Sequence, residues 1–168
     1  AAVSYYPSYV EEEAIHAIHP EYKIRAITAY VYEKFLENID KDFAKREGLL
    51  FVGGFAHPPN ADAVLWFAKE IFPLIRQKLD VNFYVVGSKV TDEIKALEQP
   101  GSGIIVKGFV TEEELASLYA TSRIVVVPLR YGAGVKGKVV EAVYNGSAIV
   151  TTSIGSEGIP EAERVMKG

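Results

Sequence analysis

From Gly48 onward, short apolar runs, the first three ended by glycine, alternate with longer stretches whose apolar positions recur every three or four residues. The first kind predicts buried parallel strands, the second amphipathic crossover helices. GLLFVGG (Gly48 to Gly54) is the first strand. Pro58-Pro59-Asn60 opens a long helix in which Val64, Phe67, Ala68, Ile71, Leu74 and Ile75 share one face to about Leu79, with Pro73 placed to kink it. VNFYVVG is the second strand, Thr91 to Glu98 a short helix, and GIIVKG the third strand. Thr111 with three glutamates behind it starts a capped helix to Ala120. RIVVVPL is the fourth strand, Gly134 to Tyr144 a helix ended by Asn145-Gly146, and SAIVTTS the fifth strand. This alternation predicts an α/β fold, an open doubly wound parallel sheet with helices on both faces.

The first 47 residues are less regular. Tyr9 to His19 predicts a helix capped by Ser8, with Glu11, Glu12 and Glu13 near its positive end and Pro20 as its stop. Lys23 to Thr28 is a short strand candidate. Tyr30 to Phe43 has no clean period and reads as a connector. PEAERVMKG at the end breaks off mid-unit.

Composition narrows the function classes. The formal charge of −4 argues against broad nucleic-acid binding, which needs a basic footprint. The absence of cysteine removes disulfides and thiolate metal sites and fits a cytoplasmic protein. No apolar run approaches the roughly 20 residues of a membrane-spanning helix, and no signal peptide opens the chain.

Ligands of open parallel sheets bind beyond the carboxyl ends of the strands. Gly53-Gly54, Gly87, Gly108 and the loop from Tyr131 to Gly137 all fall at that edge. On a helical wheel from Gly134, the residues Val135, Val139, Ala142 and Val143 share a buried face. Gly134, Gly137 and Glu141 fall opposite, where a bare backbone admits close approach of a ligand. Glu141 lies about 10 Å along the helix, the span from a phosphate at its start to a ribose. Arg130, Lys136 and Lys138 make this region locally positive. A structural reading stands beside this one: the glycines permit helix–strand packing, and Lys138 with Glu141 forms a surface pair worth little.

The block PLRYGAGVKGKVVEAVYNGSAIVTTSIGSEGI resembles the C-terminal signature of the group 1 (family 4) glycosyltransferases of GT-B fold. LLFVGGFAHPPNADAVLWFAKEIFPLI and the Gly108 to Val110 triplet support it, so the resemblance spans about Gly48 to Ile159. YYPSYVEEEAIHAIHPEYKIRAITAY is similar to the segment that joins the two halves of such enzymes. The resemblance implies an interdomain segment over 1–47 and a Rossmann-like, nucleotide-sugar-binding domain over 48–168, C-terminally incomplete. It implies retaining transfer without a bound metal or cofactor, with acceptor groups on a missing N-terminal domain, so that this chain alone is inactive. Membrane-surface association is common among such enzymes. In the donor site, Gly134, Val135 and Lys136 would meet the diphosphate by their backbone, and Glu141 the ribose. Val110 would lie near the nucleobase, and Gly53-Gly54 beside the phosphates and sugar.

Several positions depart from the family pattern. Ala133 stands where a sugar-contacting Glu is expected, and Gly54 and Asn60 where an Arg and a Lys usually neutralise the diphosphate. Arg130, Lys136 or Lys138 is then expected to supply that charge. His16 and His19 are spaced for a metal pair but lack a third ligand, and the reading is no metal. His57 sits at the binding edge, Trp66 reads as packing, and Glu157 either meets a sugar or caps a turn. Two other readings remain: a non-catalytic regulatory or scaffold module, and a GT-B relative such as a sugar-nucleotide epimerase. Receiver-like scaffolds need acidic residues where Gly53-Gly54 and Gly108 stand.

Overall fold

The structure is a computed structural model that describes residues 2–27, 30, 32, 43–159 and 162. The chain opens with a small β–α–β unit: β1 (Ser4–Tyr6), α1 (Tyr9–Ile18) and β2 (Ile24–Ala26), the strands parallel. The sequence pattern missed β1, which is three residues long and mostly exposed. Ser8 caps α1 as expected, its Oγ accepting from the Val10 N–H at 3.1 Å. The connector predicted over Tyr30 to Phe43 lies mostly outside the described residues, which include only Tyr30, Tyr32 and Phe43. A 3-10 turn at Phe43–Lys45 leads into the main sheet.

That sheet holds β3 (Leu49–Val52), β4 (Phe83–Val86), β5 (Ile104–Gly108), β6 (Ile124–Val127) and β7 (Ala148–Thr151), all parallel, in the order β5-β4-β3-β6-β7. The chain steps one way from β3 and returns to start again at β6. Right-handed crossovers therefore put the helices after β3 and β4 on one face and those after β5 and β6 on the other. The strands are apolar because both faces are covered: Leu50, Phe51, Phe83, Val85, Val125 and Val127 are almost completely buried.

The first crossover is not one continuous α-helix. It runs as α2 (Pro58–Trp66), a π-turn (Phe67–Ile71) and α3 (Phe72–Arg76). Pro73 has no N–H to give the residue one turn back, and the Phe72 N–H reaches five residues back to Phe67 O. The extra residue shifts the helical phase. Leu74, expected on the buried face, is exposed, while Phe72 turns inward onto Phe67 and Phe83, ring centroids 6.2 and 5.5 Å away.

α4 (Asp92–Lys95) and α5 (Glu112–Thr121) start at Thr91 and Thr111, whose hydroxyls accept from the Ile94 and Glu114 N–H groups. α6 (Gly137–Tyr144) begins three residues later than the wheel assumed. Gly132 and Gly134 take positive φ angles of 128° and 77°, so the stretch before Gly137 is a loop rather than a first turn. Val139 and Ala142 are buried as expected, but Val143 is exposed. Asn145 and Gly146 end the helix, and α7 (Ser153–Ser156) follows β7.

Candidate functional site

The seam between β3 and β6 is where the chain reverses its direction across the sheet. Connections leaving those two strands diverge, and a crevice opens between them. Here it is flanked by the Gly53-Gly54 turn, the start of α2, and the glycine loop leading into α6. A cavity of about 190 Å³ occupies it, lined by His57, Asn60, Tyr131, Ala133, Lys136 and Lys138 among others.

Lys138 is the central charge of this cavity. Its ammonium donates to Asn60 Oδ1. Asn60 Nδ2 donates in turn to Gly54 O at 2.8 Å. A Cβ built on Gly53 would come within 2.9 Å of both Lys138 Nζ and Asn60 Nδ2, so glycine there makes room for the pair. The ammonium also lies 5.0 Å from the centroid of the Phe51 ring. Among the described residues Lys138 forms no ion pair. Burial, with Lys136 as a second cause, pulls its pKa down to about 8. Asn60, which stands where the resemblance expects a lysine, thus holds the ammonium of a lysine 78 residues later.

The other two basic residues are paired. Arg130 binds both oxygens of Asp62 on α2, with Nε to Oδ2 at 2.9 Å, and its guanidinium lies 5.5 Å from the Trp66 ring centroid. The Arg130 hydrogen bond holds the Asp62 carboxyl below its ordinary range. Lys136 donates to Gly134 O and sits 3.3 Å from Glu157 Oε2, with its side chain only 9% exposed. Glu157, for which the sequence left a sugar contact or a turn cap open, is this lysine's counter-ion.

Glu141 sits one turn after Lys138 on α6 and outside the cavity lining. Its carboxylate faces Tyr119 of α5 and Tyr32. Burial raises its pKa, and the Tyr119 hydroxyl opposes that rise. Tyr119 is 1% exposed and its Oη lacks a hydrogen bond of ordinary geometry. Tyr32 stacks on Tyr144 at 3.9 Å between centroids. Val110, beyond β5, packs partly buried against the core, two strands from the seam, while Phe109 beside it is 82% exposed.

The glycine face read as bare is covered by the chain itself. A Cβ on Gly137 would lie 2.8 Å from Tyr30 Oη, and one on Gly134 would lie 3.4 Å from Glu11 Oε1. A Cβ on Gly158 would lie 2.9 Å from Ser8 Oγ. Gly134 and Gly137 thus meet Glu11 of α1 and the Tyr30 side chain, not a strand as the structural reading expected, and Gly158, beyond α7, meets Ser8. The contacts escaped the sequence pattern because Glu11 and Tyr30 lie over a hundred positions before the residues they cover.

The histidine pair does not converge on a metal site. His16 Nε2 is 3.0 Å from Tyr22 O, and His19 stacks on Tyr22 beside Glu21. No group of three metal-ligating side chains and no helix long and apolar enough to cross a membrane occurs among the described residues.

Comparison with known proteins agrees with this architecture. The "Uncharacterized 44.6 kDa protein in cps region" of Klebsiella pneumoniae is 32% identical over 116 residues, covering 66% of this chain and 30% of that protein. The pneumococcal O-GlcNAc transferase GtfA, solved in complex with UDP and GlcNAc, superposes with a TM-score of 0.65 at 16% identity, over 89% of this chain and 30% of that one. TarM superposes at 0.69 with 14% identity, over 90% and 30%. These likenesses establish the fold, a Rossmann-like domain of the GT-B type. The chain spans about 30% of the length of these relatives. The sequence profile described as "Glycosyl transferases group 1" matches residues 46–166, and the chain accordingly belongs to the group 1 glycosyltransferase family.

Proposed function

We propose that this chain is the donor-binding domain of a retaining glycosyltransferase that takes a sugar from a nucleotide-sugar. The observation that carries this reading is the Lys138 ammonium, which forms no ion pair among the described residues and lies at the sheet's switch point beside a glycine loop. A half-buried cation with spare donors suits a diphosphate, and its low dielectric surroundings strengthen the attraction. Backbone N–H groups of Gly134, Val135 and Lys136 complete the cradle. Glu141 receives the ribose hydroxyls, Val110 borders the base, and Gly53-Gly54 leave room for the phosphates and sugar. Arg130 holds α2 in place through Asp62, which neutralises its charge.

The domain works by positioning and electrostatics. It holds the donor in one orientation, and Lys138 with the loop N–H groups stabilises the diphosphate as it departs. On this reading no cofactor or metal is needed. Acceptor groups come from a further domain, so the chain alone turns nothing over. Calorimetry of the full-length protein with UDP, GDP and their sugar conjugates tests the reading. Binding that Glu141→Ala abolishes supports it; a full-length protein that binds no nucleotide favours a scaffold role instead.

A further inference from the structure

Glu11 is the group that the proposed site leaves unexplained. Ser8 and Glu11 have the spacing of a capping box, in which the glutamate turns back to the start of its own helix. Glu11 does not. Its Oε1 points at the glycine loop, 3.4 Å from where a Gly134 Cβ would be, and its Oε2 is shielded from solvent with no hydrogen-bond partner. A shielded carboxylate oxygen without a partner is costly, and such groups in native proteins mark a missing ligand, water or ion. The cations of the loop do not neutralise it: Lys136 is engaged with Glu157 and Gly134 O, and Lys138 with Asn60.

An ionised carboxylate only accepts hydrogen bonds. Its partner must be a donor, and a second anion is repelled. Beside a loop that cradles a diphosphate, the donor-rich and uncharged part of a nucleotide-sugar is the sugar. Ala133 gives the loop no carboxylate of its own. Gly158, beyond α7, lies against both Ser8 and Val135 of the loop and so holds the first turn of α1 beside it, which brings Glu11 there by packing.

We propose that Glu11 accepts a hydrogen bond from a hydroxyl of the sugar to be transferred, and so helps to choose which sugar nucleotide binds. This rests on the donor-binding reading above. The charge of Glu11 makes its signature distinct: it favours the sugar nucleotide and disfavours the bare nucleoside diphosphate.

The test titrates the full-length protein with UDP, GDP, UDP-glucose, UDP-galactose, UDP-N-acetylglucosamine and GDP-mannose. For the tightest sugar nucleotide, Glu11→Gln and Glu11→Ala are expected to weaken binding about tenfold or more. Affinity for the matching diphosphate stays equal or rises, and the thermal midpoint holds. Equal losses for both ligands would reduce Glu11 to a structural role and overturn the inference, as would no change in either. In both of those outcomes the wild type still binds, so the donor reading survives. A wild type that binds none of the six ligands removes the donor reading itself and this inference with it.

Discussion

Lys138 of α6 donates to Asn60 of α2 across the seam of the sheet, and Asn60 passes the contact on to Gly54 O. One hydrogen-bonded chain thereby ties together the three segments that border the cavity. Asn60 satisfies Lys138 without neutralising it, so the charge stays available to an anion.

Lys138→Ala is expected to lower nucleoside-diphosphate affinity about tenfold or more, as removal of a charge-assisted contact does. The pH dependence follows from the pKa of about 8, lowered from 10.5 by burial. The charged form binds the diphosphate, so affinity falls as pH rises through about 8, by at most one decade per pH unit. Stability of the ligand-free protein moves the other way. The unfolded lysine keeps its proton up to about 10.5, so the cost of burying the charge is present below pH 8 and fades between 8 and 10.5. Calorimetric titrations and chemical denaturation from pH 7 to 10 check both signs, and Lys138→Ala flattens both profiles.

Glu141 and Tyr119 give a second prediction. Glu141→Ala removes the partner of the ribose hydroxyls: the wild type should bind UDP well above 2′,3′-dideoxy-UDP, and Glu141→Ala should lose UDP binding as well. Tyr119→Phe deletes a buried hydroxyl that has no well-formed hydrogen bond, and changes stability by less than about 1 kcal/mol. A midpoint loss larger than that implies a stronger bond between Tyr119 and Glu141 than the geometry indicates.

Gly87 follows β4 where the strand lies against the Gly53 turn. A Cβ there would sit 1.9 Å from Gly53 O, a backbone atom that cannot swing aside. Gly87→Ala is expected to cost about 3 kcal/mol or more and to lower nucleotide affinity by displacing the Gly53-Gly54 turn. Denaturant melts read the first effect.

Gly137→Ala pushes only on the end of the Tyr30 side chain, at 2.8 Å, and that side chain can move. The expected cost is about 1 kcal/mol, and Tyr30→Ala should abolish it. A double-mutant cycle measures the coupling; additive effects would mean that Tyr30 does not rest on α6.

The sheet was legible in the chain because its signals are local. Five apolar runs, the glycines that end the first three and the Thr111 cap each need only a few neighbouring residues to be read. The π-turn was half legible: Pro73 announced a break, but whether the helix kinks or takes in an extra residue depends on whether Phe72 can reach Phe67 and Phe83. The start of α6 was misplaced because positive φ angles at Gly132 and Gly134 leave no trace in apolar periodicity.

Length, alternation and strand identity were thus set by the sequence alone, since backbone periods of two and 3.6 residues impose them. The strand order β5-β4-β3-β6-β7 is not fixed by these local periods, and it is the placing of β3 beside β6 that brings the starts of α2 and α6 to one seam. Asn60 and Lys138 are 78 residues apart, and Asp62 and Arg130 are 68 apart. Which lysine of the cavity stays outside an ion pair among the described residues, and that Glu11 meets Gly134, were decided by tertiary packing, because the partners of a side chain depend on where distant elements come to rest.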